Sequence, residues 1–335
     1  MQRKISRRQV LESMALGVIG LTAAGRAAAQ ARAKIRFVLP TPATTYQLPY
    51  LVAKDTGWYA DHGLDVDEIF VGGDSTALRT VISGSGDVTL IGPPTVFHAF
   101  LEGAKVKYIG SSQPVVDYNI IAAKSTPSLA AIADQTFASA GPSDLTTEIP
   151  RLIMKKQGIN TDKVKFLQVG GHPARLQALE VGKVQGTMIN TLTMKIGEKH
   201  GDIKVLANVA KEFPQLGYVM YTAMTSSLQD PAKYKAWETF IQGNIVGARS
   251  IVSDPERAAG ILIKRAPDLP ADLVLAVIKE LNASKVWGVD GGLDPQMVSF
   301  TSDAMTQWKM IDRGVKPEDI IDDRFVKSAL ASLPK

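Results

Sequence analysis

The stretch Val71–Gly92, VGGDSTALRTVISGSGDVTLIG, has an echo at Val169–Asn190, VGGHPARLQALEVGKVQGTMIN. Aligned without a gap, Val71/Val169, Gly72/Gly170, Gly73/Gly171, Leu78/Leu176, Gly84/Gly182, Thr89/Thr187 and Ile91/Ile189 coincide. Each copy predicts a strand end, a Gly-Gly turn, an amphipathic helix, a glycine stop and a β-branched strand. Two copies are too few for a solenoid, which needs about three units to bury its faces. They suit a molecule with two similar lobes.

The chain around the echo extends the pattern. Upstream of the first copy, Lys34–Leu39 predicts a strand stopped by Pro40 and Pro42, and Thr44–His62 predicts one helix ending at Gly63. Val66–Val71 is the next strand, the following helix is capped by Asp74 or Ser75, and Asp87–Ile91 is the third strand. Gly92-Pro93-Pro94 opens a helix to about Gly103, before a strand at Val106–Ile109. The second lobe predicts a strand at Gln135–Ser139, a helix from Leu145 to Gln157, and strands at Val164–Val169 and Val205–Ala207. Thr146-Thr147 with Pro150 matches Thr44-Thr45 with Pro49, so the echo reaches further upstream than the glycines. Strands alternating with helices imply parallel sheets covered on both faces, an α/β fold. Ser111–Ala122 and Asn208–Thr225 read as two crossings between the lobes. The tail is helical, with openings at Pro231, Pro255, Pro270 and Asp294. The lobes are predicted as 34–115 plus 222–335, and 116–221, with a cleft between them.

Composition narrows the function. The 335 residues carry a formal charge of +5, but residues 1–29 hold +4 of it, from Arg3, Lys4, Arg7, Arg8 and Arg26 against Glu12. What remains is near neutral, which disfavours nucleic acid. That basic head, the apolar Met14–Leu21 and Ala27-Ala28-Ala29 form the three parts of an export leader, with cleavage expected after Ala29. Ser6-Arg7-Arg8-Gln9-Val10-Leu11 resembles a twin-arginine signal, with Val10 and Glu12 departing from its usual pattern. The expected location is the periplasm. With no cysteine there is no disulfide and no lipid-anchored cysteine. Ser83–Asp87 is glycine-rich but fits neither phosphate-binding motif, no nucleophile elbow exists, and the four histidines lack metal-ligand spacing. No enzyme activity, cofactor or metal is expected.

In this order and spacing the leader, Thr44-Thr45-Tyr46 after the first strand, Trp58-Tyr59-x-x-x-Gly63-Leu64, Gly86-Asp87-Val88 with Gly92, and Gly141-Pro142-Ser143 before a helix resemble periplasmic solute-binding proteins. The branch is the nitrate, sulfonate, taurine and thiamine-precursor type of ATP-binding-cassette importers. The resemblance implies a two-lobed type II periplasmic-binding fold and a monomeric, hinge-closing receptor that delivers a small organic, anionic solute to an inner-membrane permease. An exported enzyme on the same scaffold is the alternative.

Ligands of open parallel sheets lie beyond the carboxyl ends of the strands, at helix N-termini. In the first lobe that places Thr44, Thr45, Tyr46 and Gln47, then Asp74 and Ser75, then Gly92 and Pro93 as candidates. In the second it places Ser143, Asp144 and Thr146, then His172, then Asn190. Free N–H groups behind Gly141-Pro142-Ser143 would suit an anion, and Asp144 opposes one there unless it caps the helix. His172 stands where the first copy has Asp74, a contrast that suits an anion on one side and an amine or a helix cap on the other. Ser111, Ser112 and Tyr218 are expected on the cleft floor. Arg79, Arg151 and Arg175 are the basic candidates for pairing with an anion, but each lies inside a helix and is expected to be solvated.

Overall fold

The computed structural model describes residues 32–142, 144–201 and 203–334; the proposed leader and Ser143 lie outside them. Two five-stranded sheets organise the chain. The first contains β1 (Ala33–Leu39), β2 (Leu64–Phe70), β3 (Val88–Ile91) and β4 (Val106–Gly110). The second contains β5 (Tyr118–Ala123), β6 (Thr136–Ser139), β7 (Lys165–Gln168), β8 (Gly186–Asn190) and β9 (Ile203–Asn208). The last strand, β10 (Met220–Met224), returns to the first sheet.

The strand orders are β2-β1-β3-β10-β4 and β7-β6-β8-β5-β9. They are the same order twice, and the echo occupies the same interval in each. In both sheets four strands run in one direction, and the fifth runs antiparallel between its neighbours: β10 between β3 and β4, β5 between β8 and β9. These antiparallel strands are where the chain changes sheets. Just outside them Val115 and Gly217 form an antiparallel bridge, and Tyr218 N–H donates to the Pro114 carbonyl at 3.0 Å. The two crossings therefore run side by side.

Helices cover the sheets as period-3.6 segments with one apolar face. In the first unit these are α1 (Leu48–Asp55), α2 (Asp74–Ile82) and α3 (Pro93–Leu101). In the second they are α4 (Leu145–Lys156), α5 (His172–Glu180) and α6 (Thr191–His200). Alternate residues of β1 explain the two layers. Phe37 packs with Tyr50 and Phe240 on one face, whereas Val38 joins Ala77, Leu78, Val81, Val96 and Phe97 on the other. The helical tail contains α7 (Tyr234–Ser253), α8 (Pro255–Arg265), α9 (Ala271–Ala283), α10 (Pro295–Gln307) and α11 (Arg324–Ser332). α7 lies hard against α1. A Cβ on Gly247 would fall 1.9 Å from the Pro49 carbonyl oxygen, so only glycine permits this approach.

Three expectations change. The helix expected over Thr44–His62 is split into a 3₁₀ turn at Thr45–Gln47, α1 and a short Trp58–Asp61 helix. Its break is Gly57, whose φ of +83° is left-handed and ends α1 early. Asp74 does not cap α2. Gly73 holds the cap position, and the Asp74 carboxylate turns instead to the Gly92 N–H at 3.1 Å. The helices α6 and α11 are additions to the predicted set.

Candidate functional site

A cavity of about 220 Å³ lies where the carboxyl ends of the two sheets face each other. That is below the ~300–1,000 Å³ usual for drug-sized ligands and suits a small solute. Its wall takes Tyr46 and Asp74 from the first unit, Tyr118, Asp144, Thr146, His172 and Arg175 from the second, and Val219 from the returning crossing. The Gly72-Gly73 and Gly170-Gly171 turns both reach it. The turns differ in detail, since the left-handed residue is Gly73 in the first copy and Gly170 in the second.

Five sequence-predicted residues thus meet in one wall: Tyr46, Asp74, Asp144, Thr146 and His172. The other candidates among the described residues lie outside it. Ser111 and Ser112 do not form the floor, because their hydroxyls donate to backbone carbonyls of Val219 (2.5 Å) and Tyr46 (2.6 Å) and tie the crossings to their neighbours. Tyr218 is fully buried beneath the wall, edge-on to both Tyr46 and Tyr118 with ring centroids 5.8 and 5.0 Å away. Gln47 donates to the Thr41 carbonyl, and its own Oε1 is buried without a partner.

The remaining predicted residues hold the two units together. Asn190 accepts from Thr193 N–H as the cap of α6, and its Nδ2 donates across the cleft to Thr44 Oγ1 at 3.1 Å and toward Thr45 Oγ1 at 3.5 Å. Ser75 Oγ donates to the Pro142 carbonyl at 3.4 Å. Gly92, followed by Pro93, faces Leu145 so closely that a Cβ would lie 2.3 Å from Leu145 Cγ. The units are closed on each other.

Arg175 overturns its sequence reading. It is 1% exposed, not solvated. Its guanidinium donates to the carbonyls of Gly170 and Met188 and to His172 Nδ1 (3.1 Å), while Nε is buried without a partner. The signal that could have found it is in the echo: the matched residue of the first copy is Ala77, which is wholly buried. Arg79 is exposed as expected, and Arg151 is a half-exposed partner of Glu148.

These contacts set the charge of the site. His172 Nδ1 faces two groups that can only donate, the Asn190 N–H and the Arg175 guanidinium, so it carries no proton. Burial and then the Arg175 charge hold its pKa well below the ordinary range, and the ring is neutral with its proton on Nε2. Asp144 is both cap and wall: its Oδ1 accepts from the Thr146 N–H (2.8 Å) and hydroxyl (2.6 Å). The N-terminus of α4 is therefore already occupied by a carboxylate, and the free N–H groups expected there for an anion are not on offer. Burial raises the pKa of Asp144 against the pull of Thr146 and Arg175; burial and then Asp144 raise that of Asp74. Among the described residues no cluster of three His, Cys, Asp or Glu side chains could hold a metal ion.

Residues 44–258 match the family described as NMT1/THI5 like. A search of curated proteins gave no match. Among solved structures, a protein of Bordetella bronchiseptica RB50 superposes with a TM-score of 0.79 at 17% identity, covering 91% of this chain and 99% of that one. The nitrate-binding protein NrtA of Synechocystis PCC 6803 gives 0.74 at 13% identity, with 90% and 89% covered. The alkanesulfonate-binding protein SsuA of Xanthomonas axonopodis pv. citri, bound to MOPS, gives 0.69 at 15% identity, with 88% and 100% covered. At these identities the likeness is one of fold.

Proposed function

The chain belongs to the NMT1/THI5-like family, and from that premise we propose that it is an exported, monomeric solute receptor that presents a small organic molecule to an ATP-binding-cassette permease. The observation that carries this reading is the closed cavity between two sheets joined by paired crossings. A pair of adjacent strands resists shear yet bends at few residues, which is what a hinge requires. Residues 34–115 with 222–335 form one moving lobe and residues 116–221 the other. Opening separates Asn190 from Thr44, and Gly92 from Leu145, and admits solute to the wall. Closure then follows because solute contacts both lobes at once and so favours the closed state.

Export fits the sequence of residues 1–29, and cleavage after Ala29 places the receptor in the periplasm. The wall supports solute binding more readily than chemistry. His172 is neutral and its Nδ1 is engaged, and the Thr146 hydroxyl donates to Asp144. Tyr46 and Tyr118 offer apolar faces suited to an organic solute over an inorganic ion.

A thermal-shift screen of sulfonates, carboxylates, amines and pyrimidines tests the proposal, because a cleft solute stabilises by about 2.7 kcal/mol at a hundredfold excess over its Kd. The solute that binds should also shrink the molecule in small-angle scattering and be recovered chemically unchanged. Turnover of that solute would establish the alternative, an enzyme. Binding without compaction would sink the hinge.

A further inference from the structure

Three charged side chains stand in the described wall of the cavity: Asp74 from the first lobe, and Asp144 and Arg175 from the second. Neutral His172 and the phenols of Tyr46 and Tyr118 are the other ionisable groups there. Within the second lobe Arg175 offsets Asp144, so Asp74 is the surplus charge that closure carries in. With both carboxylates ionised, the closed cavity holds a net charge of −1. A monoanion would double that in a space of about 220 Å³, where the charges lie well within the ~8 Å screening length of physiological salt. One positive charge cancels it.

Resting on the receptor reading, we propose that the solute carries a protonated nitrogen seated between Asp74 and Asp144, and that this cation is what draws the lobes together. The two carboxylates approach from opposite lobes, so they oppose closure until a cation lies between them. Asp74 spends only Oδ2 on the Gly92 N–H, whereas Asp144 is held by Thr146 through Oδ1 and by the Thr147 N–H. A second, independent feature marks the place of a ligand. Arg175 is buried in the same wall, and its Nε–H has no partner. A buried unpaired donor is costly, and an acceptor on the solute would satisfy it. The solute is thus an amine-type cation with an oxygen or nitrogen acceptor some atoms away.

The raised pKa values of both carboxyls follow from the same arrangement. In the closed, empty cavity a proton takes the place of the cation. Acid should therefore imitate the solute and close the lobes.

The test has one arm without solute and one with it. Small-angle scattering of the solute-free protein should show a smaller radius of gyration at pH 5 than at pH 8. Asp74→Asn and Asp144→Asn keep the acceptor oxygens that bind Gly92 and Thr146, so each should stay compact at both pH values. In the second arm, calorimetry compares matched probes: β-alanine with propionate, taurine with isethionate, and 4-(aminomethyl)benzoate with 4-methylbenzoate. The amine-bearing partner of a pair that binds should bind about tenfold or more tighter, the scale of one charge-assisted hydrogen bond. Both Asn variants should erase that preference while circular dichroism shows an unchanged fold.

Radii that are equal across pH and variants overturn the inference. So does a probe that binds only without its amine, or binds better to Asp74→Asn, and that result leaves the receptor reading standing. If no probe binds, the receptor reading loses its support, and the scattering arm alone decides whether the carboxylates govern closure.

Discussion

Asp74 and His172 hold the same hydrogen bond in two different lobes. Asp74 Oδ2 accepts from the backbone N–H of Gly92, and His172 Nδ1 accepts from that of Asn190. The acceptors are 98 positions apart along the chain, and so are the donors. Duplication kept the bond and changed the chemistry of the acceptor. A carboxylate serves on one side and a neutral imidazole on the other.

Removing that imidazole should be costly. His172→Ala leaves the Asn190 N–H and one arm of Arg175 without an acceptor inside the wall. An unsatisfied buried donor costs about 1–3 kcal/mol. Urea denaturation should show a loss in that range, with the slope unchanged. No loss at all would mean that the histidine is not holding its strand end.

Arg175 should matter to stability as well as to binding. Arg175→Met keeps bulk but strips donors from the Gly170 and Met188 carbonyls and leaves Asp144 without its offsetting charge. Breaking a buried charged set of this kind costs about 3–5 kcal/mol. The same measurement checks it, and Arg79→Met on the exposed face of α2 is the control, expected to stay within about 0.5 kcal/mol.

Gly92 and Leu145 set how far the lobes can close. Gly92→Ala places a methyl inside the Leu145 side chain and should shift the molecule toward an open form with weakened solute binding. Leu145→Ala makes room for that methyl, so the double variant should recover compaction that Gly92→Ala loses. Scattering and a double-mutant comparison read this coupling; additive effects would place the clash elsewhere.

Asp117 gives a pH dependence with a definite sign. It is buried at the start of the second lobe, where Thr191 donates to Oδ1 and Oδ2 has no partner. Burial, the largest cause, raises its pKa to about 7. An unfolded aspartate titrates near ~3.9. The folded state therefore holds a proton that the unfolded state has released, and the contribution of this group, complete below about pH 4, is lost as pH rises through 7. Asp117→Asn mimics the neutral acid, so it should gain stability over the parent at pH 8 and little at pH 4. Parallel stability curves for the two proteins would refute the assignment.

How much of this was legible in the sequence depends on what kind of signal each feature leaves. The echo was visible because turns need glycine and strands need alternation, and both are local requirements. Gly57 was visible as a residue but not as a break, since α1 and the Trp58–Asp61 helix continue the same apolar pattern across it. Asp144 reads equally as a cap alone or as a cap that also meets the ligand, and in the structure it is cap and wall together. Ser111 and Ser112 look like ligand groups to anyone reading residue types, but which acceptor a hydroxyl meets is decided by strands far away in sequence. Arg175 was the costliest miss. Single-residue reasoning sends an arginine in a helix to solvent, and only comparison with buried Ala77 at the matched position reveals the exception.

The exchanged strands also dictate an order of assembly. Every strand of the second sheet lies between residues 118 and 208, whereas the first sheet needs β10, at residues 220–224, to join β3 to β4. During synthesis, β1 to β4 leave the ribosome with a missing strand in their midst, and β3 waits with an open edge while about a hundred further residues are made. The second sheet can complete itself in that interval. The half of the molecule made first is therefore finished last, and a nascent chain halted before residue 220 should carry a protease-resistant 116–208 core beside an unprotected N-terminal half.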